Sequence, residues 1–212
     1  AEISASGYSS IYVGQKTYNG VALLSRQRGC DVITTIPNFE DSQKRVVAAT
    51  YGDIRVVCIY VPNGENIDSE KFQYKLNWLS ALNRWLREEL IRFPKLVLLG
   101  DFNIAPMDSD VHDPERWRGQ VLCSAPERDA FQGLLNLGLF DSFRLFEQPE
   151  KSYTWWDYRM LGFRLNKGLR IDHILLSKAL TANCEFCVID KTPRKLERPS
   201  DHAPVFVNLK ND

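Results

Sequence analysis

The stretch "KLVLLGDFNIAP", Lys95 to Pro106, decides how the fold is read. Leu96 to Leu99 form an apolar run too short for a helix and suited to a strand covered on both faces. The run stops at Gly100, and Asp101 and Asn103 follow at its carboxyl end. In extended chain, residues two apart point the same way, so the acid and the amide would share a face. Carboxylate and amide oxygens suit a hard cation, and a carboxylate can also take a proton from water. Gly, Asp and Asn are equally the residues of an ordinary turn. The neighbouring sequence has to separate the two readings.

Immediately upstream, the spacing predicts a long helix over Ser69 to Arg92. Phe72, Leu76, Leu79, Leu86 and Leu90 recur three to four apart on one face, Ser69 is placed to cap, and Pro94 ends the pattern. Before it, "SSIYVG", "GVALLS", "DVITTI", "RVVAATY" and "IRVVCIYVP" are β-branched and aromatic runs. Turn signals at Asn19-Gly20 and at "YGD" (51–53) break them. Downstream, a second helix is expected over Pro126 to Asn136, introduced by Ser124 and closed by Gly138. The last third returns to strands in "SYTWW", "LRIDHILLS", "CEFCVID" and "PVFVNL". The first strands lie too close together for crossover helices, which disfavours a doubly wound parallel sheet. Sheets packed on one another with helices outside fit better. With no repeats or low-complexity linkers, residues 1–212 read as one domain.

The composition is that of a globular chain: 212 residues, 44% hydrophobic and 25% charged. No apolar run approaches the roughly 20 residues that span a bilayer, and no signal-peptide pattern is visible. Lys plus Arg equals Asp plus Glu, 27 each, yet Lys151 to Arg198 holds ten basic and five acidic residues. A +5 window in a neutral chain can turn one face to a polyanion. "YTWWDYR" puts Tyr153, Trp155, Trp156 and Tyr158 inside that window, and basic residues interleaved with rings suit nucleic acid. Five scattered cysteines argue against a disulfide framework and for a reducing compartment. The Cys184/Cys187 pair has no second pair to close a zinc site.

Three more stretches sit at expected strand ends. "YVPNG" leaves Tyr60 and Asn63 at a rim. "RIDHIL" places Asp172 inside an apolar strand, where a buried carboxylate needs a partner, a histidine ring by nature; an Asp facing solvent or paired to Arg170 is the alternative. "PSDHAP" sets Asp201 beside His202, a metal-type oxygen beside a donor for a phosphate oxygen.

Taken in order with "NGVALLSR" and "APERDAF", the set YxPNG, GDFN, RIDHxL and SDHAP resembles the exonuclease III family of abasic-site endonucleases. That family lies within the endonuclease/exonuclease/phosphatase superfamily. The resemblance runs from the "GYSSIYVGQK" hairpin to the last strand, and "SFR", "WWDYRMLGFRLNKGLRID" and "ERPSDHAPV" favour the bacterial branch. It implies a four-layered α/β/β/α sandwich of two packed mixed sheets with helices outside. It implies a Mg2+-dependent hydrolase (Mn2+ an alternative ion) that cuts duplex DNA 5′ to abasic sites and trims 3′ ends. It further implies a monomer acting in the cytoplasm, away from membranes.

Residue by residue, the resemblance makes Asp101 the general base close to the metal and Asn103 the holder of the phosphate. Asp201 becomes a metal ligand, with Asp101, Asn103 and His202 at the same centre. His202 contacts the scissile phosphate and is oriented by Asp172. Tyr60 touches the phosphate or assists the leaving oxygen, with Asn63 beside it. Trp155, Leu169 and Ile171 match the apolar pocket for a base-less sugar, and Arg128 a loop arginine on the DNA side. The family also begins with "WNVN"-like and "QET"-like strands, the second carrying a metal glutamate. Neither is present, so an N-terminal part on the order of 50 residues is expected to be missing, about two strands and a helix. Two rivals share parts of the pattern: a superfamily enzyme acting on lipid or inositol phosphates, which would share GDFN and SDHAP, and a catalytically silent nucleic-acid-binding relative, which should lack the acids that are present here.

Overall fold

A computed structural model describes residues 2–210. The strands are β1 (Ser9–Gly14), β2 (Gly20–Ser25), β3 (Cys30–Ile33), β4 (Val46–Tyr51), β5 (Ile54–Tyr60), β6 (Leu96–Asp101), β7 (Leu139–Asp141), β8 (Asp172–Ser177), β9 (Cys184–Ile189) and β10 (Val205–Leu209). The α-helices are α1 (Glu2–Ala5), α2 (Glu70–Arg92), α3 (Pro114–Trp117), α4 (Ala125–Leu135) and α5 (Lys178–Thr181).

Six strands form a mixed sheet in the order β3-β4-β5-β6-β8-β7. β5 and β6 run parallel, so the chain must cross over between them, and α2 is that crossover. Ser69 caps α2 as expected, its hydroxyl accepting from the Phe72 N–H at 3.1 Å. Gly52-Asp53 forms the tight turn between β4 and β5, with Tyr51 opposite Ile54.

The two faces of the sheet carry different partners because alternate strand residues point opposite ways. Val57, Ile59, Leu96 and Leu98 pack against Trp78, Leu79, Leu82 and Leu86 of α2 and Phe131 and Leu134 of α4. On the opposite face, the β1–β2 hairpin covers Val47 and Ala49 through Leu23. The β9–β10 hairpin packs Val205, Val207 and Leu209 over Val97, Ile174 and Leu176. The second β layer therefore consists of two separate antiparallel hairpins, each seated on its own half of the central sheet. Between them runs the open ground where the site lies.

Two expected strands differ. "SYTWW" is held by isolated bridges, Trp155 to Leu169 and Trp155 to His202, rather than forming a strand. "LRIDHILLS" becomes a strand from Asp172 onward, because Leu169 pairs with Trp155 and Val111 instead of the sheet. All five cysteines are free. Among the described residues, no helix is long and apolar enough to cross a membrane.

Candidate active site

Three of the expected site residues form one row across three strands. Tyr60 of β5 is in register with Asp101 of β6, and Asp101 with Asp172 of β8. All three have the parity of the hairpin face. Gly100 lets the row form: its φ is +140°, and a Cβ there would stand 1.9 Å from the Ile59 carbonyl oxygen. The glycine that halts the apolar run is thus a point of backbone contact between β5 and β6.

Asp101 and Asn103 do not share a strand face. β6 ends at Asp101, Phe102 turns into the helix-side core, and Asn103 takes a left-handed φ of 50°. The turn brings the pair together instead. The Asn103 N–H donates to Asp101 Oδ1 at 2.8 Å, and its amide Nδ2 donates to Asp101 Oδ2 at 3.1 Å and to the Val61 carbonyl at 3.0 Å. Asn63 Nδ2 donates to Asn103 Oδ1 at 3.1 Å. The turn reading and the site reading of "GDFN" are one structure: the turn orients the acid.

Asp172 is paired with His202, whose Nδ1 donates to Oδ2 at 2.8 Å. Arg170, the other partner considered, faces away into a buried network with Asp110 and Asp141. Asp201 accepts from the Trp155 indole Nε1 at 2.9 Å through Oδ2. The "SDHAP" loop is therefore tied to the sheet through His202 and to the aromatic segment through Asp201.

These contacts set the charges. Burial first, then the neighbouring Asp172, pushes the Asp101 carboxyl up to about 7, against the pull of His202, the Asn103 N–H and Lys75. Burial opposes charge on His202, but the Asp172 hydrogen bond and the charges of Asp172, Asp101 and Asp201 carry it up to about 9. His202 is thus an imidazolium at neutral pH. A groove of about 460 Å³ opens over Asp101, Asp172 and His202.

Trp155, Leu169 and Ile171 gather in one apolar cluster with Ala105, Val111, Leu122 and Cys123. Leu169 and Ile171 are fully covered within it, while Trp155 is partly exposed. Arg128 braces a loop: its Nε donates to the Ala105 carbonyl at 3.1 Å and its Nη1 to Asp108 at 2.8 Å.

Several important residues lie behind the row. Lys75 of α2 donates to the Asn63 carbonyl at 3.1 Å, to the Asn103 carbonyl at 2.6 Å, and to Glu127. Arg170 Nη1 donates to His173 Nδ1 at 3.0 Å, leaving His173 Nε2–H for the Ile104 carbonyl at 2.9 Å. Burial and the Arg170 charge push His173 down to about 4, so it is neutral. One sequence signal existed for Lys75: it falls on the apolar face of α2, between Phe72 and Leu79.

Among the described residues, no three His, Cys, Asp or Glu side chains form a closed metal cage. The donor set fits a hard ion of the Mg2+ kind, which takes one or two carboxylates and keeps water and phosphate for the rest. Burial first, and then the Asp172 carboxylate beside it, disfavour an ionised Asp101, and a bound cation would favour the ionised form. Of the two other residues expected near the ion, Asn103 presents its amide oxygen Oδ1 to Asn63 Nδ2, and His202 is held by Asp172 through Nδ1, with Nε2 on the far side of the ring.

Residues 2–202 match the Endonuclease/Exonuclease/phosphatase family pattern. The chain is 37% identical to exodeoxyribonuclease III of Haemophilus influenzae, over 96% of this chain and 81% of that one. It superimposes with a TM-score of 0.97 and 48% identity on a Neisseria 3′ phosphatase, NExo, solved with a product DNA hairpin; the match covers 99% of this chain and 82% of that one. An AP endonuclease from Archaeoglobus fulgidus superimposes at 0.93 with 35% identity, over 99% of this chain and 82% of that one. By its row of acids, its histidine and these likenesses, the chain belongs to the Endonuclease/Exonuclease/phosphatase family, among the phosphodiester hydrolases of the exonuclease III type.

Proposed function

We propose that the protein hydrolyses phosphodiesters in duplex DNA with a divalent cation, Mg2+ in the first instance, cutting 5′ to abasic sites and removing 3′ nucleotides or phosphates. The observation that carries this is the Tyr60–Asp101–Asp172 row with His202 locked onto Asp172.

Asp101 takes a proton from the attacking water, and a carboxyl near neutrality is matched to that task. Asn103 fixes the direction from which it does so, through both its backbone and its side-chain N–H groups. His202, charged and held through Nδ1, turns Nε2–H toward a phosphate oxygen and stabilises the charge that grows there. Tyr60, in register with Asp101, reaches the phosphate or the leaving oxygen. A cation held by the Asp101 and Asp201 carboxylates would add Lewis-acid stabilisation of the phosphoryl oxygens. Trp155, packed against the cluster of Leu169 and Ile171, shapes the side of the site that a base-less sugar fills and a normal nucleotide does not. The aromatic-basic segment from Lys151 to Arg198 favours DNA over a lipid or inositol phosphate.

The test is a duplex with one abasic site, and another with a 3′-phosphate, incubated with Mg2+ or with EDTA and resolved on a denaturing gel. A Mg2+-dependent nick on the 5′ side of the lesion and release of phosphate are expected. Absence of both overturns the reading.

A further inference from the structure

We propose that the buried Lys75–Glu127 ion pair is a positioning device for the hydrolytic step, holding the Asn63 loop, the Asn103 turn and the Leu122–Ser124 segment in one arrangement. The proposal rests on the reading of Asp101 and Asn103 as the hydrolytic centre.

Both side chains are completely covered. The Lys75 ammonium has three N–H donors and uses them on three acceptors: the Asn63 carbonyl, the Asn103 carbonyl and Glu127 Oε1. Glu127 continues the connection. Its Oε1 accepts from the Leu122 N–H at 2.9 Å and its Oε2 from the Ser124 N–H at 3.0 Å. One ion pair therefore gathers three stretches of irregular chain that have no ladder of their own. The Asn63 loop is shaped to reach it: Gly64 has a φ of +95°, and a Cβ there would stand 3.3 Å from Lys75 Cδ.

Stability does not account for a lysine at this position. A buried ion pair gains little over a well-packed apolar pair of the same volume, because both charges must be desolvated. An apolar pair, however, could not hold two backbone carbonyls at fixed distances. The Asn103 carbonyl belongs to the turn whose N–H groups orient Asp101, so freeing it frees the acid. The Leu122 end belongs to the apolar cluster beneath Trp155. Lys75 and Glu127 thus set the hydrolytic groups and the pocket wall relative to one another.

The isosteric double variant Lys75→Met/Glu127→Gln tests this, since it removes both charges at nearly constant volume. Its thermal midpoint is expected within about 5 °C of wild type. On the abasic duplex, kcat is expected to fall about 100-fold with KM within about twofold, the cost of a misplaced reacting group. Amide exchange at residues 63–64 and 102–104 should rise at least about tenfold while β6 and the middle of α2 stay protected. Wild-type kcat in a folded double variant overturns the proposal, as does a kcat loss that vanishes on correction for the folded fraction. If wild type itself cuts neither duplex, the function reading fails, and the exchange measurement still decides: unchanged protection in both loops overturns the device. Should the double variant not fold, Glu127→Asp alone serves, because it keeps both charges and draws the carboxylate back by one methylene. It is expected to lower kcat about tenfold at unchanged KM, and wild-type kcat there overturns the proposal.

Discussion

Asp101 and Asp172 occupy directly paired positions on β6 and β8, two carboxylates side by side with His202 bonded to the outer one. The pair raises Asp101 and, through Asp172, charges His202. Asp172→Asn removes one charge from both relationships. In metal-free protein, the His202 imidazole, at about 9 in wild type, is expected to titrate near the ordinary value of about 6.5 in the variant. NMR titration of the ring protons checks it, and an unmoved His202 would show that Asp172 is not its partner.

Asp101→Ala removes the group that receives the proton and leaves the Asn103 turn without its acceptor. Loss of about 10²- to 10⁴-fold in kcat is expected, the usual share of a positioned base. Circular dichroism should remain native. Full activity with this variant would reassign the base.

Gly100→Ala should be among the most destabilising single changes in the protein. The added methyl would meet the Ile59 carbonyl at 1.9 Å, on a backbone with φ of +140°. A loss of about 4 kcal/mol is expected, at the upper end for point substitutions. Urea denaturation measures it, and a loss below about 1 kcal/mol would mean that β5 and β6 do not approach as described.

His173 gives a pH dependence whose sign can be worked out. Its folded pKa, about 4, lies below the unfolded value of about 6.5. Between these values the unfolded chain holds one more proton, so His173 contributes stability above pH 6.5 that is lost as pH falls toward 4. Asp101 acts oppositely across that whole window, because its raised carboxyl binds a proton more readily in the folded state. The comparison must therefore be made with His173→Gln, which leaves Asp101 in place. From pH 7 to pH 4, wild type should lose about 3 kcal/mol relative to this variant. Parallel curves would mean that His173 is not buried as a neutral ring.

How far the sequence was readable varies along the chain. α2 and its Ser69 cap, the Gly52-Asp53 turn, and the strand ending at Tyr60 follow from local rules of periodicity and turn chemistry. That Asp172 would need a partner was legible, because a carboxylate inside an apolar strand is costly to bury alone; that the partner is His202 came from the family resemblance. What escaped is non-local. The order β6-β8-β7 and the bridge of Trp155 to Leu169 and His202 depend on contacts between distant segments, which local patterns do not encode. "SYTWW" carries strand-like residues, yet Tyr153 and Trp156 pack into a core with Ala203 and Trp155 bonds Asp201, rather than extending a sheet. Asn103 was placed on the Asp101 face by strand periodicity, when its left-handed φ had already ended the strand. Arg170 looked like a possible mate for Asp172, but Asp110 and Asp141, 60 and 29 residues away, claimed it.

α2 carries two buried charges of opposite sign: Lys75, matched by Glu127 of α4, and Glu89, matched by Arg55 of β5 at 2.7 Å. Glu89 also meets Arg92 of the same helix at 3.4 Å, but the buried partner of each charge lies on another element. Loss of one member strands the other without compensation, whereas joint replacement is tolerable. Descent through this lineage should therefore move positions 75 and 127, and positions 55 and 89, as linked couples. Such covariation would be readable in any sufficiently deep set of related sequences, and it would mark the two points where the helix cannot drift alone.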